Sequence, residues 1–416
     1  MRVFKFGGAS VKNVAGLERV VTVLRHTGAK DLIIVVSAMG KTTNALEEVV
    51  AAYFNKGIVL SEALDKVRIY HFDIISTLVL DEKPTLIAKI SAFFAEIEVF
   101  LINNQSVDSD FVYDQIVPYG ELLSSTILQA VLEQNGIASE WLDIRTLLKT
   151  DSNFREAKVD WEHTQENFKN QIKSGSTYLT QGFIGSYKPG YITTLGREGS
   201  DYTAAIIAFC LNGEQVTIWK DVPGVLNADP RYFNDATLLR SISYTEAIEL
   251  AFYGASVIHP KTLQPLQQKG IPLYVKPFMD PSASGTCIMQ GTAITPFGPC
   301  FILKRDEVLI KLSTWDFSFM LEEHLGEVFS LMARHRVKMD LIQNSAISFS
   351  LCVDDKLNRV SELIDELKDR FKIKVVKGVD LYTIRHFTPE ALAKVEQGKE
   401  ILVKRVTGNT AQLVVK

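Results

Sequence analysis

The seven residues at 31–37, DLIIVVS, constrain the fold more than any other feature of this sequence. Consecutive apolar residues without alternation are typical of a strand that is covered on both faces, as in a parallel sheet between helices. Patterns with helical spacing lie on either side of the run, at 14–26 and at 42–54. A further apolar strand pattern, RVFKF, precedes the first of them. This alternation predicts an α/β sandwich with a mainly parallel sheet.

The first domain is expected to end near residue 296. A chain of 416 residues is long enough for two or three domains. Helical patterns fill much of 58–105, and further strand and helix patterns continue as far as Phe278. Between Pro277 and Pro299 the composition changes to Pro, Gly, Ser and Thr without periodicity, which predicts a linker or a strand-poor connection. We therefore assign 1–296 to the first domain.

Residues 297–416 show two similar sets of patterns. The first set, at about 307–378, reads as β-α-β-β-α-β, which is the order of a ferredoxin-like domain. The second set, at about 379–416, reads as a shorter β-α-β-β series, and the strand near 299–305 can complete it. The sequence thus predicts two small domains of one type, of which the second is partial.

Charge and composition exclude several classes of partner. The 45 basic and 49 acidic side chains leave a net charge of −4, which provides no general attraction to nucleic acid or to an acidic membrane. The start, MRVFKFGG, passes directly into a strand pattern without the apolar region of a signal peptide. The four cysteines are scattered and form no CxxC pair, so reduced thiols in a cytoplasmic protein are expected.

Two loops have features of a nucleotide site. Gly7 and Gly8 follow the first strand, where backbone N–H groups can face a phosphate, and Lys5 adds a positive charge nearby. The stretch 219–231, WKDVPGVLNADPR, places Asp221 at a strand end and Arg231 in a turn, where a nucleotide can lie over the sheet edge. Each motif alone is explained as well by an ordinary turn or connection.

The stretch 194–205, TLGREGSDYTAA, carries opposite charges in a glycine loop. Arg197 can pair with a carboxylate and Asp201 with an ammonium, so the loop suits a zwitterion better than a phosphate. Ser200 can cap the following helix, as Thr43 and Glu121 can at two other helix starts. His259, before a proline, is expected to form a structural turn rather than a catalytic base or a metal ligand.

The order of these motifs along the chain resembles that of a known protein family, although no single motif is specific to it. The order KFGGAS, Ser37 with Thr43 and Asn44, Gly120 with Glu121, QGFIG, TLGREGSD, DVPGV with DPR, and GASVIHPKT resembles that of the aspartate kinases in the amino acid kinase family. The tail resembles the ACT regulatory domains that such kinases carry. The resemblance implies an amino acid kinase-type α/β/α sandwich at 1–296 and an ACT region at 297–416.

The resemblance also implies a reaction. It implies transfer of the γ-phosphoryl group of Mg²⁺-bound ATP to the β-carboxylate of L-aspartate, giving 4-phospho-L-aspartate and ADP in lysine, threonine and methionine biosynthesis. A carboxylate with an ordinary pKa near ~4 is already ionised at neutral pH, so no general base is required. The residues implied as catalytic are Lys5, Arg197 and Asp201; those for substrate are Ser37, Thr43, Glu121, Arg197, Ser200 and Asp201; those for ATP are Lys5, Gly7, Gly8, Lys220, Asp221, Leu226 and Arg231. No protein-bound metal is implied.

The chain departs from this family at positions in both halves of the site. Glu198 replaces the second middle glycine of TLGRGGSD, and we expect its side chain to point away from the substrate and to be dispensable. Ser256 stands where relatives commonly have a lysine linked to the ATP phosphates, and Leu226 stands where tyrosine is frequent. Lys220 replaces a common threonine. We hypothesise that Lys220 supplies the missing positive charge, although it can equally be an exposed replacement.

The ACT region departs as well. Leu325, Asp340 and Ser345 match effector positions of lysine-sensitive relatives, but Ala346 replaces the glutamate of a Ser-Glu pair. The effector can therefore differ from lysine, or regulation can be weak. Edge-to-edge pairing of ACT domains implies a homodimer, with no indication whether dimers pair further. Two alternatives remain at this stage: another kinase of the same family, or an amino-acid-binding regulatory protein with weakened or lost catalysis.

Overall fold

The computed structural model describes residues 1–55, 59–255, 258–316, 318–356 and 358–416. The chain forms two compact units, of which the first comprises Met1–Val225, Leu238–Ile248 and Val257–Pro296. The second comprises Leu226–Thr237, Glu249–Ser256 and Phe297–Lys416. No helix in the described ranges combines the length and the apolar character that a membrane crossing requires. The assignment of 1–296 and 297–416 to separate domains stays a prediction.

An eight-stranded sheet forms the centre of the first unit, in the order β3-β4-β2-β1-β7-β9-β10-β8. The strands from β3 to β9 in this order are all parallel, and β10 is antiparallel to β9. The mainly parallel sheet that the sequence predicts is thus confirmed. A separate hairpin is formed by β5 and β6. The strands are β1 (Arg2–Phe6), β2 (Leu32–Val36), β3 (Glu140–Leu142), β4 (Thr177–Gln181), β5 (Ile184–Lys188), β6 (Tyr191–Thr194), β7 (Gln215–Lys220), β8 (Ser241–Ser243), β9 (Leu273–Pro277) and β10 (Thr286–Met289).

Helices cover this sheet, and every side chain of the strand β2 is buried, as its unbroken apolar run predicts. Short polar side chains begin several helices; the Asn13 side chain accepts a hydrogen bond from the backbone N–H of Gly16 at the start of α1. The helices of the first unit, with the end of α10 in the second, are α1 (Val14–Thr27), α2 (Thr42–Phe54), α3 (Leu60–Thr77), α4 (Lys83–Asn103), α5 (Ser109–Ile116), α6 (Tyr119–Gln134), α7 (Ile144–Leu147), α8 (Trp161–Gln171), α9 (Gly199–Leu211), α10 (Tyr244–Tyr253) and α11 (Pro260–Lys269).

The stretch between Pro277 and Pro299 differs from the prediction of a linker or a strand-poor connection. It contains β10, which pairs with both β8 and β9. Gly285 adopts a φ of 66° just before β10, where a Cβ atom would collide with the carbonyl oxygen of Val275. Because β10 has four residues, it is too short to produce a detectable apolar alternation.

The second unit contains a six-stranded antiparallel sheet in the order β12-β13-β11-β14-β16-β15. Its strand β11 (Cys300–Ser313) contains both segments that the sequence predicts as separate strands, and its register shifts between Lys304 and Val308. The antiparallel pairing with β14 continues on both sides of this irregularity, so the strand bends without ending. The remaining strands are β12 (Lys338–Asn344), β13 (Ser348–Asp354), β14 (Lys372–Arg385), β15 (Ile401–Thr407) and β16 (Thr410–Val415).

Three helices pack on this sheet. The amphipathic helices α12 (Glu322–His335) and α13 (Val360–Leu367) cover a core that includes Leu312 and Phe349. The helix α14 (Pro389–Glu396) covers a separate core around Ile384. The order of strands and helices agrees with the β-α-β-β-α-β set followed by a shorter β-α-β-β set, and the assignment of two ACT domains to them stays a prediction.

Candidate active site

Two lysines and one aspartate meet at the carboxyl ends of neighbouring strands. Lys5 is the penultimate residue of β1, and Lys220 is the last residue of the adjacent parallel strand β7. Asp201 lies in the first turn of α9. The Lys5 Nζ is 2.6 Å from Oδ1 of Asp201, and the Lys220 Nζ is 3.3 Å from Oδ2. The structure therefore brings together residues that the sequence predicts for substrate and for ATP.

This cluster is largely buried and strongly charged. Lys5 is 8% exposed and Asp201 is 2% exposed. Burial alone would raise the pKa of Asp201, but the charges and hydrogen bonds of Lys5 and Lys220 outweigh it and lower that pKa below its usual value. Asp201 is consequently a carboxylate at neutral pH that holds two ammonium groups at the end of the sheet.

Close packing explains why glycine occurs in the turn after β1. A Cβ atom on Gly8 would lie 2.5 Å from the carbonyl oxygen of Ala38, so only glycine allows this approach. The Gly8 carbonyl in turn accepts a hydrogen bond of 2.9 Å from the N–H of Gly40. Gly7 faces the ammonium of Lys5, since a Cβ atom there would lie 3.4 Å from Nζ. The turn thus presents backbone next to the charged cluster.

Glu121 is the second buried carboxyl group near this edge. It lies in the first turn of α6, where Oε1 accepts a hydrogen bond of 3.1 Å from the N–H of Ala38 and Oε2 has no hydrogen-bond partner among the described residues. The side chain is 2% exposed, and burial raises its pKa to about 8 although Lys5 acts in the opposite direction. A buried carboxyl oxygen without a hydrogen-bond partner is suited to receiving a cationic group.

Ser37 and Thr43 lie on the segments around Glu121. The Ser37 carbonyl accepts a hydrogen bond of 2.7 Å from the hydroxyl of Ser124 in α6, and Thr43 is half-buried in the first turn of α2. A Cβ atom on Gly120 would lie 2.9 Å from Cβ of Ala38, so α6 packs closely against the chain that follows β2. Ser37 is thereby held next to the start of α6, and Thr43 follows Thr42, whose Cγ2 would lie 3.3 Å from a Cβ atom on Gly120.

The arginine loop, defined here as residues Thr194–Asp201, joins β6 to α9. Arg197 is exposed, and Ser200 is buried against Gly182. Gly196 has a φ of 77°, and Glu198 has a φ of 54°, so both adopt left-handed conformations. Glu198 accordingly accepts the conformation that glycine would adopt freely, and its Oε2 accepts a hydrogen bond of 2.9 Å from the N–H of His259.

Asp114 anchors the start of the arginine loop and was missed in the sequence. Its Oδ2 accepts hydrogen bonds from the N–H groups of Thr194 (2.9 Å) and Arg155 (3.0 Å), and its Oδ1 accepts one from the Thr194 hydroxyl (2.7 Å). Burial raises its pKa to about 6 despite these hydrogen bonds. An aspartate that follows a tyrosine in an eight-residue helix gives no sequence signal for this role.

The remaining predicted ATP residues follow β7 along the chain. Asp221 is exposed directly after β7. Leu226 and Arg231 belong to the second unit, where the guanidinium of Arg231 forms a bidentate pair with Asp229 at 2.5 to 3.0 Å. Ser256 lies outside the described residues. Their assignment to nucleotide binding stays a prediction.

The predicted effector residues are found on α12 (Leu325), in β12 (Asp340) and on the turn between β12 and β13 (Ser345). Leu325 is half-buried, and Ser345 is exposed with its hydroxyl 2.7 Å from that of Ser348. The Asp340 carboxylate, in contrast, is 2.6 Å from the ammonium of Lys304 and only 5% exposed. Beside it, burial first and the Asp340 carboxylate second raise the pKa of Glu307 to about 7. Asp340 therefore already has a cationic partner within the chain.

No group of three or more His, Cys, Asp or Glu side chains is arranged to hold a metal ion in the ranges that the structure describes. The four cysteines form no disulfide with one another, and three of them are buried. At the ends of β1 and β7, Lys5 and Lys220 lie near the backbone of the glycine turn, and ammonium and N–H groups suit anionic oxygen atoms such as those of phosphates.

Known proteins share both the sequence and the fold. A model of the amino acid kinase family matches residues 1–277. Lysine-sensitive aspartokinase 3 of Escherichia coli (strain K12) is 33% identical over 396 residues, which cover 92% of this chain and 86% of that protein. Aspartokinase 1, chloroplastic, of Arabidopsis thaliana is 30% identical over 410 residues, which cover 90% of this chain and 68% of that protein.

Crystal structures give the same result. Aspartokinase III of E. coli in complex with lysine and aspartate has a TM-score of 0.83 at 29% identity, and the match covers 100% of this chain and 96% of that chain. The same enzyme in complex with aspartate and ADP has a TM-score of 0.81 at 29% identity, with coverage of 100% and 96%. The chain therefore belongs to the amino acid kinase family, in its aspartokinase branch.

Proposed function

We propose that the protein is an aspartate kinase, which transfers the γ-phosphoryl group of ATP to the β-carboxylate of L-aspartate. The observation that carries the proposal is the buried cluster of Lys5, Lys220 and Asp201 beside the arginine loop. The E. coli relative with 29% identity is described in complex with aspartate and ADP, which supports the choice of substrates. The product is 4-phospho-L-aspartate, the first intermediate of a route to lysine, threonine and methionine.

The chemistry requires charge stabilisation rather than proton transfer. A β-carboxylate oxygen attacks the γ-phosphorus, a new O–P bond forms, and the bond from phosphorus to the β,γ-bridging oxygen breaks. ADP leaves with the electron pair, and no proton moves because the nucleophile is already ionised. Lys5 and Lys220 stabilise the negative charge on the transferring group, and Gly7 and Gly8 provide backbone N–H groups. Magnesium enters with ATP as part of the substrate, held largely by phosphates and water.

The amino-acid substrate is held by opposite charges. Arg197 is exposed and long enough to form a bidentate pair with the α-carboxylate. Glu121 and Asp201 receive the ammonium, for which the orphaned Oε2 of Glu121 is the strongest support. Ser37 and Thr43 orient the side-chain carboxylate. Ser200 contributes from the start of α9, where backbone N–H groups favour anions.

The proposals on effector binding and subunit pairing rest on the similarity to aspartokinases. ACT domains at 297–416 would bind an amino-acid effector and pair two subunits into a homodimer. The solved complex of the E. coli relative with lysine and aspartate supports effector binding in this branch. Cytoplasmic localisation stays a prediction.

A coupled assay of ADP release tests the proposal directly. With Mg-ATP present, turnover should depend on L-aspartate and be absent with glutamate, N-acetylglutamate or UMP. Turnover with one of these other acceptors would indicate another kinase of the family. Absence of turnover with all of them would indicate a regulatory protein that has lost catalysis.

The role of Lys220 is tested by Lys220→Ala, with Lys188→Ala as a control at an exposed lysine that lies over the Tyr187 ring. Removal of one group that stabilises transition-state charge lowers kcat by about 10²–10³. We expect a loss of this order for Lys220→Ala together with a raised KM for ATP, and none for the control. Unchanged kcat and KM in Lys220→Ala would contradict the proposed role.

A further inference from the structure

Glu198 joins two segments that meet at the candidate site. Its Oε2 accepts the N–H of His259, the residue that precedes α11, at 2.9 Å. The nitrogen Nδ1 of His259 caps α11 by accepting from the N–H of Lys261. The side chain of Glu198 is therefore attached to backbone, and its position is set by two helix starts, α9 and α11.

The helices α9 and α11 are tied together at both ends. At their carboxyl ends, the ammonium of Lys269 donates to the carbonyl of Phe209 (2.5 Å) and to the side chain of Asn212 (2.6 Å). At their amino ends, the contact is the hydrogen bond from His259 to Glu198. The two ties have different surroundings, since the amino-end tie is made by Glu198, three residues before the buried Asp201, and the carboxyl-end tie lies a helix length away.

Glu198 makes this contact from an unfavourable backbone conformation. At a φ of 54°, a residue with a Cβ atom is strained, whereas the glycine of the resembling family loop would not be. Burial raises the pKa of Glu198 most, while Lys220 lowers it and Asp201 raises it, so the carboxyl group faces the same charged cluster. A strained backbone and a partly buried carboxyl group that binds another segment indicate that Glu198 has a structural role.

We infer that Glu198 is a positioning residue that fastens the arginine loop to the start of α11 and thereby fixes Arg197 and Asp201 for the substrate. This replaces the expectation from sequence that Glu198 is dispensable. The expected effect on KM rests on the proposed function. The hydrogen bond between Glu198 and His259 can be tested without turnover. The Glu198 side chain also gives this left-handed backbone a hydrogen bond that a glycine at this position would lack.

Kinetics of Glu198→Gly, Glu198→Gln and Lys269→Ala test the inference. Glu198→Gly removes the acceptor, and loss of one hydrogen bond corresponds to about a fivefold change in an equilibrium constant. We expect KM for aspartate to rise about fivefold or more in Glu198→Gly, with a smaller change in KM for ATP. Glu198→Gln keeps an oxygen acceptor and should remain within about twofold of the wild type. Lys269→Ala cuts the distant tie and should lower Tm without changing KM for aspartate.

Hydrogen exchange at the amide of His259 gives a second measurement on the whole chain without substrates. Exchange should be faster in Glu198→Gly than in the wild type and unchanged in Lys269→Ala. Equal exchange in Glu198→Gly and the wild type would overturn the inference, as would an unchanged KM for aspartate or an equal loss in Glu198→Gln. If the wild type shows no aspartate-dependent turnover, the proposed function fails, and the exchange rates alone decide whether Glu198 fastens the loop.

Discussion

The pKa of Glu121 predicts how the use of aspartate depends on pH. Burial raises this pKa to about 8 in the protein without substrate, so Glu121 is mostly protonated at neutral pH. The ammonium of aspartate requires the ionised form, because a neutral carboxyl group provides no opposite charge. Binding must therefore release a proton, and the apparent affinity for aspartate should improve as pH rises through 8.

The magnitude follows from the ionised fraction. With a pKa of about 8, roughly 1% of Glu121 is ionised at pH 6, roughly 10% at pH 7 and about half at pH 8. When only the ionised fraction binds, the apparent dissociation constant is the intrinsic constant divided by that fraction. From pH 6 to pH 8, kcat/KM for aspartate should rise by about 50-fold at saturating Mg-ATP. Neither the β-carboxylate nor the ammonium of aspartate changes its charge over this range.

Initial rates of ADP release at low aspartate, from pH 5.5 to 9, measure this dependence. The profile of kcat/KM reports the free enzyme, so its inflection should lie near 8. Glu121→Gln should lose the inflection and have a lower kcat/KM at pH 8 than the wild type. A wild-type profile that is flat between pH 6 and 8, or the same inflection in Glu121→Gln, would refute the reasoning.

Three further predictions follow from other parts of the chain. Gly8→Ala should abolish detectable turnover or folding, because the new Cβ would lie 2.5 Å from the carbonyl of Ala38; activity and circular dichroism of the variant check this. Burial and Asp340 raise the pKa of Glu307 to about 7 in the folded protein. The folded state therefore loses stability as pH rises from the lower pKa of the unfolded chain to about 7, and the loss remains at higher pH. Glu307→Gln should raise Tm at pH 8 and leave it unchanged near pH 4, and an equal shift at both values would contradict this. Since Asp340 is paired with Lys304, lysine should inhibit weakly, and Lys304→Met should change the response to lysine in the same assay.

The sequence was a good guide to the fold where patterns are long. The unbroken run in β2 and the helical spacing of α1 and α2 indicate the parallel sheet correctly, because periodicity reports burial directly. The same sequence patterns predict two separate strands where the structure has the single strand β11. Charged residues at 304–307 look like a strand end, whereas the ladder with β14 continues on both sides of a bulge. The local sequence around residues 304–307 carries no information about pairing with β14, which lies far along the chain.

The candidate site was predictable to the extent that its residues occur in recognisable motifs. Lys5, Lys220 and Asp201 were all named from sequence, and they form one cluster in the structure. Asp114 was not, since its role depends on meeting the N–H of Thr194 across the fold. The partner of Glu198 was equally hidden, because a hydrogen bond to the backbone of His259 depends on conformation rather than on residue type.

The long strands β11 and β14 determine how this region can be divided. Residues 300–304 pair with 381–385, and residues 307–313 pair with 372–379, so one pair of strands serves both halves of the sheet. A boundary placed at residue 378 would cut through β14, which pairs with β11 on both sides of that residue. Segments exchanged with related proteins should therefore carry 300–385 as one piece. Because β11 and β14 pair along both halves of this sheet, we expect the two halves to unfold in one transition.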